Sequence, residues 1–357
     1  AQVFAAGLLP DPSFSFSLDR PLEPQGLVTA LTAALGLDIP ALLHRPAAVR
    51  EARANLDAVR YDLVWAEWLT AEQTRLVATR IPFLEETREL TSELRSLTQK
   101  ELDRRLAAVS RGDLAAAQLE APRLSASEAA NRDREAESEL EAAKLELNRV
   151  LGIDPREVIQ LAPPEPSRSS LPTLDTMFER AARDRADLAG FRAAFEAVRA
   201  GGSAARLDRF PLPSLDFGAA RDTGGLKTAG AGISFILPIW NRNRGEVAVT
   251  DATVARARAD YAARLDAIRA DLAAAQSALT VAARQHLAVS EELRELEGRL
   301  AANELSAERG DTSFSAAAEM RALVLDRRIT QVSLARDVAE LEIGLEIVCG
   351  QRLGEFQ

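Results

Sequence analysis

The tripeptide Arg111-Gly112-Asp113 occurs a second time as Arg309-Gly310-Asp311. Subtracting 112 from 310 gives an offset of 198 residues between the two glycines. Because several separated pairs of matching residues share this offset, we infer that one structural unit occurs twice in the chain. The same offset carries Leu147, Val150 and Gly152 onto Leu345, Val348 and Gly350, Pro40 onto Pro238, and Val49 and Leu56 onto Val247 and Val254.

Each copy contains short segments in which apolar and polar residues alternate. SFSFSL at 13–18 opens the first copy, and SLDFG at 214–218 has the same character in the second. Alternation with a period of two is typical of a β-strand with one apolar face. We therefore predict strand pairs over about 13–39 and about 214–238. The aromatic residues of these strands would face lipid or pack in a two-sheet core, and the sequence leaves both open: Phe14, Phe16, Phe217 and Phe235.

After Pro40 and Pro238 the hydrophobic period becomes helical. Apolar residues recur every seven positions from Val49 and again from Val247, which is typical of coiled coils. The alternate positions Ala52, Val59 and Ala66 fill the same predicted seam. We predict long helical hairpins over about 41–152 and about 241–350, which reverse at Gly112 and Gly310 because glycine tolerates a positive φ. Asp113 or Asp311 is expected to cap the returning helix.

The repeat defines the domain boundaries. The first structural repeat covers 1–160, a Pro/Ser-rich linker covers 161–170, and the second repeat covers 171–357 with a short helix at about 174–205. The first copy has only the residues from Ala1 to Leu9 where the second has this helix. From that mismatch we expect a further N-terminal helix, with a signal peptide before it, ahead of the displayed residues.

Composition excludes several classes of function. The chain has 5% aromatic and 27% charged residues with a formal net charge of -10, which argues against a nucleic-acid partner. Cys349 is the single cysteine and there are two histidines, so no intramolecular disulfide and no zinc ligand set is expected. No nucleophile-base pair or phosphate loop is present, so we expect neither an enzyme nor a cofactor. No stretch approaches the ~18 apolar residues of a spanning helix.

Three further segments resemble one known family. AGLLPDP at 6–12 is similar to the helix-to-strand connection of TolC-like outer-membrane factors, and LNRVLG at 147–152 is similar to the end of their first hairpin. ILPIWNRNRG at 236–245 is similar to their strand-to-helix exit. The chain is thus identified as a member of the outer membrane efflux proteins, with most similarity to the heavy-metal-type subgroup. The exit motif comprises Pro238, Asn241, Arg242, Asn243 and Gly245.

The resemblance implies a fold, a location and partners. Three protomers would each supply four strands to one 12-stranded barrel in the bacterial outer membrane, while their helices form a shared α-barrel in the periplasm. The assembly would be a passive exit duct for small molecules or metal ions. A periplasmic adaptor would dock at the two tips and couple the duct to an inner-membrane pump. The sequence identifies neither the substrate nor the pump, nor whether a lipid anchor precedes Ala1. The tip residues are Arg111, Gly112, Asp113, Arg309, Gly310 and Asp311.

The resemblance also implies a gate near the second tip. Family members carry acidic residues six and nine positions after the second glycine, where this chain has Ala316 and Glu319. Glu319 alone would give three carboxylates around a three-fold axis, a ring that attracts cations. The alternative is a glutamate that is only solvated on a helix surface.

Two rival functions are weighed against the duct. A periplasmic adaptor would show one helical hairpin flanked by Gly-rich β modules, whereas this sequence predicts two hairpins and two strand pairs. A soluble coiled-coil scaffold would leave the alternating segments unexplained. Both rivals are therefore disfavoured.

Overall fold

The computed structural model describes residues 1–22, 26–162 and 171–356. Short 3-10 turns occur at Ala116–Leu119 and Leu353–Phe356. The predicted linker falls largely on 163–170, which lie outside the described residues. The regular elements in chain order are α1 (Gln2–Gly7), β1 (Ser13–Asp19), β2 (Ala30–Leu37), α2 (Ile39–Ser110), α3 (Glu120–Leu151), α4 (Leu174–Asp184), α5 (Ala186–Leu207), β3 (Pro213–Arg221), β4 (Lys227–Phe235), α6 (Arg244–Glu308) and α7 (Phe314–Cys349).

The chain divides into two compact units. The first unit comprises Ala1–Trp65 and Arg183–Asp266, and it holds the four strands with α1 and α5. The second unit comprises Ala66–Ala182 and Ala267–Gln357, and it holds α3, α4, α7 and both glycine turns. The long helices α2 and α6 each contribute residues to both units.

The four strands form one antiparallel sheet in the order β1-β2-β3-β4. Ser13 pairs with Gly36, Gly36 with Asp216, and Asp216 with Gly232, so these four residues form one row across the sheet. The strand pairs predicted from alternation therefore join into a single sheet. Strands β1 and β4 are its two edges.

The two faces of this sheet differ in polarity. Directly paired residues of antiparallel strands point to the same face, so the pairing separates the side chains into two sets. Apart from Arg221 and Lys227 at the β3-β4 turn, one set is apolar: Phe14, Phe16, Leu18, Leu31, Ala33, Leu35, Leu37, Pro213, Leu215, Phe217, Ala219, Ala229, Ala231, Ile233 and Phe235. The other set, the polar face, is small and polar: Ser13, Ser15, Ser17, Asp19, Ala30, Thr32, Ala34, Gly36, Ser214, Asp216, Gly218, Ala220, Thr228, Gly230, Gly232 and Ser234.

The apolar face is exposed in the single chain. Phe14, Phe16, Phe217 and Phe235 all lie on it, with exposed fractions of 71%, 60%, 47% and 54%. A two-sheet core would bury these aromatic side chains, and the single sheet of the described residues does not. This outcome favours lipid as the environment of the apolar face.

The predicted heptad seam of α2 is also exposed. Leu56, Val59 and Leu63 are 40%, 64% and 58% exposed in the single chain, whereas Ala52 of the same seam is buried. Ile268 of α6, in contrast, is fully buried. No helix in the described ranges carries an apolar stretch long enough to cross a membrane. The uncovered seam of α2 leaves an apolar row available to another surface.

The short helix predicted over 174–205 is two helices, α4 and α5, separated at Arg185. This residue has an extended backbone with φ -62 and ψ 127. Its guanidinium lies 4.5 Å from the centre of the Trp65 ring and 2.8 Å from the carboxylate of Asp187, while Arg264 binds Asp187 at 3.0 Å. The distant ring of Trp65 and the nearby carboxylate of Asp187 therefore hold Arg185 where the helix is interrupted.

Two buried carboxylates fasten the end of α7 within the second unit. Glu72 is fully buried and accepts a 2.7 Å hydrogen bond from Arg75, whose guanidinium also binds Glu346. Glu346 accepts a further hydrogen bond from the backbone N–H of Leu353 at 2.7 Å, and Arg352 reaches Glu72 at 3.3 Å. Pairing of this kind is what makes a buried carboxylate tolerable.

Candidate functional site

The first tip is a tight helix ending. α2 ends at Ser110, and Gly112 has a φ of 83°. The Gly112 N–H donates to the carbonyl of Val109 at 3.0 Å, and the Asp113 N–H donates to that of Ala108 at 2.9 Å. This is the Schellman pattern, in which a left-handed residue lets the last carbonyls of a helix find partners.

The second tip repeats the same geometry 198 residues later. Gly310 has a φ of 82° and donates to the carbonyl of Ala307 at 3.1 Å. The Asp311 N–H donates to the carbonyl of Ser306 at 2.9 Å. Each partner is the residue that the sequence offset assigns, so the two turns are equivalent in their hydrogen bonds as well as in their sequence.

The chain after the two glycines differs. Asp113 accepts a 2.9 Å hydrogen bond from Arg111 Nε, and a 3-10 turn precedes α3. At the second tip α7 begins directly, because Ser313 Oγ accepts a 3.1 Å hydrogen bond from the N–H of Ala316. The prediction that an aspartate caps the returning helix is therefore wrong: Ser313 caps α7, and Asp113 binds Arg111 instead.

The predicted gate residue Glu319 belongs to a polar network between α2 and α7. Arg105 Nη2 lies 3.0 Å from Glu319 Oε1 and 2.6 Å from Ser315 Oγ, while Arg105 Nε lies 2.8 Å from Glu101 Oε1. Ser315 Oγ in turn donates to Glu101 at 2.8 Å. The Glu319 side chain is 70% exposed. Ala316 is exposed on the same helix and offers no carboxylate.

Arg105, Glu101 and Ser315 are the residues of this network that the sequence reasoning missed. Arg105 joins the other three. Its pKa is raised above the ordinary value, chiefly by the hydrogen bond to Glu101, with Glu319 adding to the effect and burial opposing it. The spacing of Glu101 and Arg105 is four residues on one helix, a signal that the sequence does contain. Their closeness to Glu319 is not visible in the sequence, because 214 residues separate Arg105 from Glu319.

A groove of about 240 Å³ lies beside this network. Its walls are mostly small and apolar, with the charged groups of Glu101, Arg105 and Glu319 at one side. The groove is therefore a partly open space beside the ion pair of Arg105 and Glu319. The remaining lining residues are Leu97, Thr98, Ala121, Pro122, Ser125, Ala318 and Ala322.

The predicted exit motif forms a compact turn between β4 and α6. Arg242 and Asn243 both have left-handed backbones, with φ values of 47° and 48°. Asn243 Nδ2 donates a 2.8 Å hydrogen bond to the carbonyl of Ala205, at the end of α5. The Arg244 guanidinium reaches back to the carbonyls of Asn241 and Trp240 at 3.3 and 3.1 Å. The motif is thus a structural connector that ties the start of α6 to the end of α5.

Pro238 and Gly245, the first and last residues of the exit motif, differ from the residues between them. The N–H of Ile239 donates to the carbonyl of Leu237 at 2.8 Å, which closes a tight turn around Pro238. A Cβ at Gly245 would meet no atom within 4 Å, so the packing there does not require glycine. Of the predicted exit residues, Arg242 and Asn243 are the ones with a left-handed backbone conformation.

The described residues contain no group of three or more His, Cys, Asp or Glu side chains placed to hold a metal ion. Cys349 is buried in α7. In the described residues, the candidate functional features are instead the two tip turns, the ion pairs of Arg105 and the sheet with its apolar and polar faces.

Comparison with known proteins is consistent with this geometry. VceC of Vibrio cholerae is 16% identical with a TM-score of 0.75, over 99% of this chain and 89% of that chain. CmeC of Campylobacter jejuni is 16% identical with a TM-score of 0.76, over 98% and 79%. CusC is 17% identical with a TM-score of 0.74, over 98% and 85%. These similarities show that the fold is that of outer-membrane channels.

No curated protein sequence matches the chain. The identities to the solved channels CusC, OprN, VceC and CmeC lie between 13% and 17%, a range too narrow to single out the heavy-metal-type subgroup, which stays a prediction.

The family comparison identifies the chain more closely. Residues 177–351, about half of the chain, match the family model for outer membrane efflux proteins. This family consists of channel proteins, and the match gives no support to a periplasmic adaptor or a soluble scaffold. The chain belongs to the outer membrane efflux protein family and is an efflux channel of the bacterial outer membrane.

Proposed function

We propose that the chain is one protomer of a trimeric, passive exit duct without catalytic activity of its own. The observation that carries this proposal is the four-stranded sheet, which has one apolar face and two edge strands, β1 and β4, that pair with no further strand of the described residues. In hydrocarbon each unpaired backbone group costs several kcal/mol, so both edges need strand partners. Pairing β4 of one copy with β1 of the next closes a 12-stranded barrel in three copies.

The exposed seam of α2 supports the same assembly. Leu56, Val59 and Leu63 form an apolar row that the chain itself leaves open. Rows of this kind mark contact surfaces, and a second copy supplies helices of matching length. The helices of three copies would then enclose the periplasmic part of the duct.

The two tips are proposed to dock a periplasmic adaptor that couples the duct to an inner-membrane pump. The Schellman turns at Gly112 and Gly310 present short, well-defined ends to a partner. Arg111 and Asp113 add an exposed ion pair at the first tip, with side chains 65% and 60% exposed. The transported substrates are proposed to be small molecules or metal ions, selected by the pump.

Glu319 is proposed to close the tip as a ring of three carboxylates. Arg105 holds each carboxylate against α2, so opening requires this ion pair to break or to move with α7. A change of packing between long helices amplifies a small shift at such a contact.

Dye release from liposomes tests the duct. Full-length protein is reconstituted into liposomes that hold a small fluorescent dye, and release is followed over time. We expect slow release with the wild type and faster release with Arg105→Ala, because that change frees α7 from α2 at the tip. Arg123→Ala, which removes an exposed arginine that lies 3.6 Å from Glu120, is the matched control and should not alter release. The absence of release from all three inserted proteins contradicts a duct.

A further inference from the structure

The polar face of the sheet carries charge of one sign. Among the described strand residues, the charged side chains on this face are Asp19 and Asp216. The basic strand residues, Arg221 and Lys227, pair with each other on the apolar face beside the β3-β4 turn. Asp19 stands at the loop end of β1, whereas Asp216 lies within β3 between two paired neighbours.

The residues beside Asp216 on the polar face are glycines, which have no side chain to cover its carboxylate. Its neighbours in the row are Gly36 on β2 and Gly232 on β4, and Ser13 completes the row on β1. A Cβ at Gly36 would lie 3.1 Å from Asp216 Oδ1 and 2.5 Å from Ser13 Oγ. The carboxylate and the hydroxyl therefore lean over the same glycine, and no side chain could stand between them without displacing one.

The Asp216 carboxylate is exposed and forms no ion pair with another described residue. A basic residue directly across the strands would attract such a carboxylate, but the cross-strand neighbours of Asp216 are Gly36 and Gly232. The carboxylate is therefore left in contact with water. A charged group that is exposed, unpaired and surrounded by Ser and Gly is suited to act on mobile ions near the sheet.

We propose that Asp216 determines the charge selectivity of the channel within the membrane. The inference rests on the proposed trimeric duct, in which the apolar face meets lipid and the polar face lines the lumen. Three copies then place three Asp216 carboxylates at one level of a water-filled pore. A ring of like charges in a pore with low-dielectric walls raises the local concentration of cations and lowers that of anions.

A reporter thiol beside the ring measures this potential without any contribution from the tip. Ser234 lies on the polar face of β4, one row from Asp216, and pairs with Ser214. In the S234C variant of the full chain, the rates of reaction with a cationic and an anionic methanethiosulfonate reagent are compared at low salt. The native Cys349 is 1% exposed and does not compete.

The ratio of the cationic rate to the anionic rate should fall at least about threefold when Asp216→Asn is added, because local counter-ion concentration follows the potential. Asp216→Lys should lower the ratio further, and 1 M salt should shrink each difference through screening. Glu291→Gln removes one negative charge from an exposed position of α6, outside the strand rows, and is the matched control, which should leave the ratio unchanged.

Equal ratios with and without the Asp216→Asn change, with the trimer intact by chemical crosslinking, overturn the inference and leave the duct standing. A thiol at 234 that reacts with neither reagent in an intact trimer overturns it as well, because the polar face then does not meet water. A protein that crosslinks only as a monomer contradicts the proposed function, and the inference with it.

Discussion

The side-chain amide of Asn243 donates a 2.8 Å hydrogen bond to the backbone carbonyl of Ala205. Subtracting the repeat offset of 198 from both positions gives Arg45 and Gly7. There the Arg45 guanidinium donates two hydrogen bonds, of 2.8 and 2.6 Å, to the carbonyl of Gly7. Each copy thus ties the start of its long helix to the end of its short helix with a different side chain at the same position.

Two substitutions at Asn243 separate the contribution of its hydrogen bond to stability from the cost of its left-handed backbone. Asn243→Gly removes the hydrogen bond but suits the left-handed backbone, and should lower the free energy of unfolding by about 1 kcal/mol. Asn243→Ala also places an ordinary side chain at a φ of 48°, so it should cost a further ~1 kcal/mol. Thermal unfolding followed by circular dichroism checks the order of the two variants. Equal stability of both would show that the backbone at 243 relaxes.

The tip glycines should be required for their left-handed backbones. Gly112→Ala and Gly310→Ala, at φ values of 83° and 82°, should each destabilise the protein by about 1–2 kcal/mol. Gly298→Ala is the matched control, because Gly298 lies in the interior of α6 with open space around its Cβ position. That change should stabilise the protein by about 1 kcal/mol. A destabilised Gly298→Ala variant or a neutral tip variant would argue against the described turns.

The ion pairs of Asp187 predict a pH dependence of stability. Burial alone would raise the pKa of Asp187, but Arg185 and Arg264 together hold it below its ordinary value of 3.8. The contribution to stability is therefore present above pH 3.8 and is lost as the pH falls through the lower pKa of the folded protein. At neutral pH, Asp187→Asn should cost roughly 3 kcal/mol because it removes the negative charge that two guanidinium groups share in a buried position.

Urea unfolding at neutral pH and at successively lower pH measures this difference. The gap between wild type and Asp187→Asn should narrow only at the acidic end of the series. Asp251→Asn, which removes an exposed ion pair with Arg206, should cost less than about 1 kcal/mol at neutral pH. A gap that stays constant as the pH falls would mean that Asp187 acts through packing rather than through its charge.

Glu319→Ala should raise single-channel conductance or weaken block by divalent cations, because it removes the proposed carboxylate ring at the tip. Arg105→Ala should raise conductance as well, since it frees the same contact from the side of α2. The stability coupling between the two residues should be at most about 1 kcal/mol, because the Glu319 side chain is 70% exposed. Conductance and divalent block that remain unchanged in Glu319→Ala would remove this residue from the gate.

Local signals in the sequence predicted the tips and the sheet. Glycine at 112 and 310 indicated turns, since only a left-handed residue closes a helix in this way. The alternation around Phe14 and Phe217 placed these aromatic side chains on one face, and the strand register gives the same result. Both kinds of signal depend on residues that are close in the chain.

The features that sequence reasoning missed depend on contacts with distant residues or on a choice between nearby side chains. The guanidinium of Arg185, where a helix is interrupted, packs on the distant ring of Trp65, and its neighbour Asp187 binds the distant Arg264. The cap at Ser313 was missed because Asp311 stands nearer the glycine, and the structure decides between two side chains that are both able to cap a helix. Leu63 follows a heptad pattern, yet a pattern does not say whether the surface that covers it belongs to the same chain.

The mass of the detergent-extracted protein tests the central claim most directly. Light scattering, corrected for bound detergent, gives the mass of the protein component alone. A duct that closes by pairing β4 of one copy with β1 of the next predicts three times the mass that the same chain shows when denatured, to which residues 1–357 contribute 38.6 kDa. A protein component with the mass of one denatured chain, from material that is folded by circular dichroism, would contradict it.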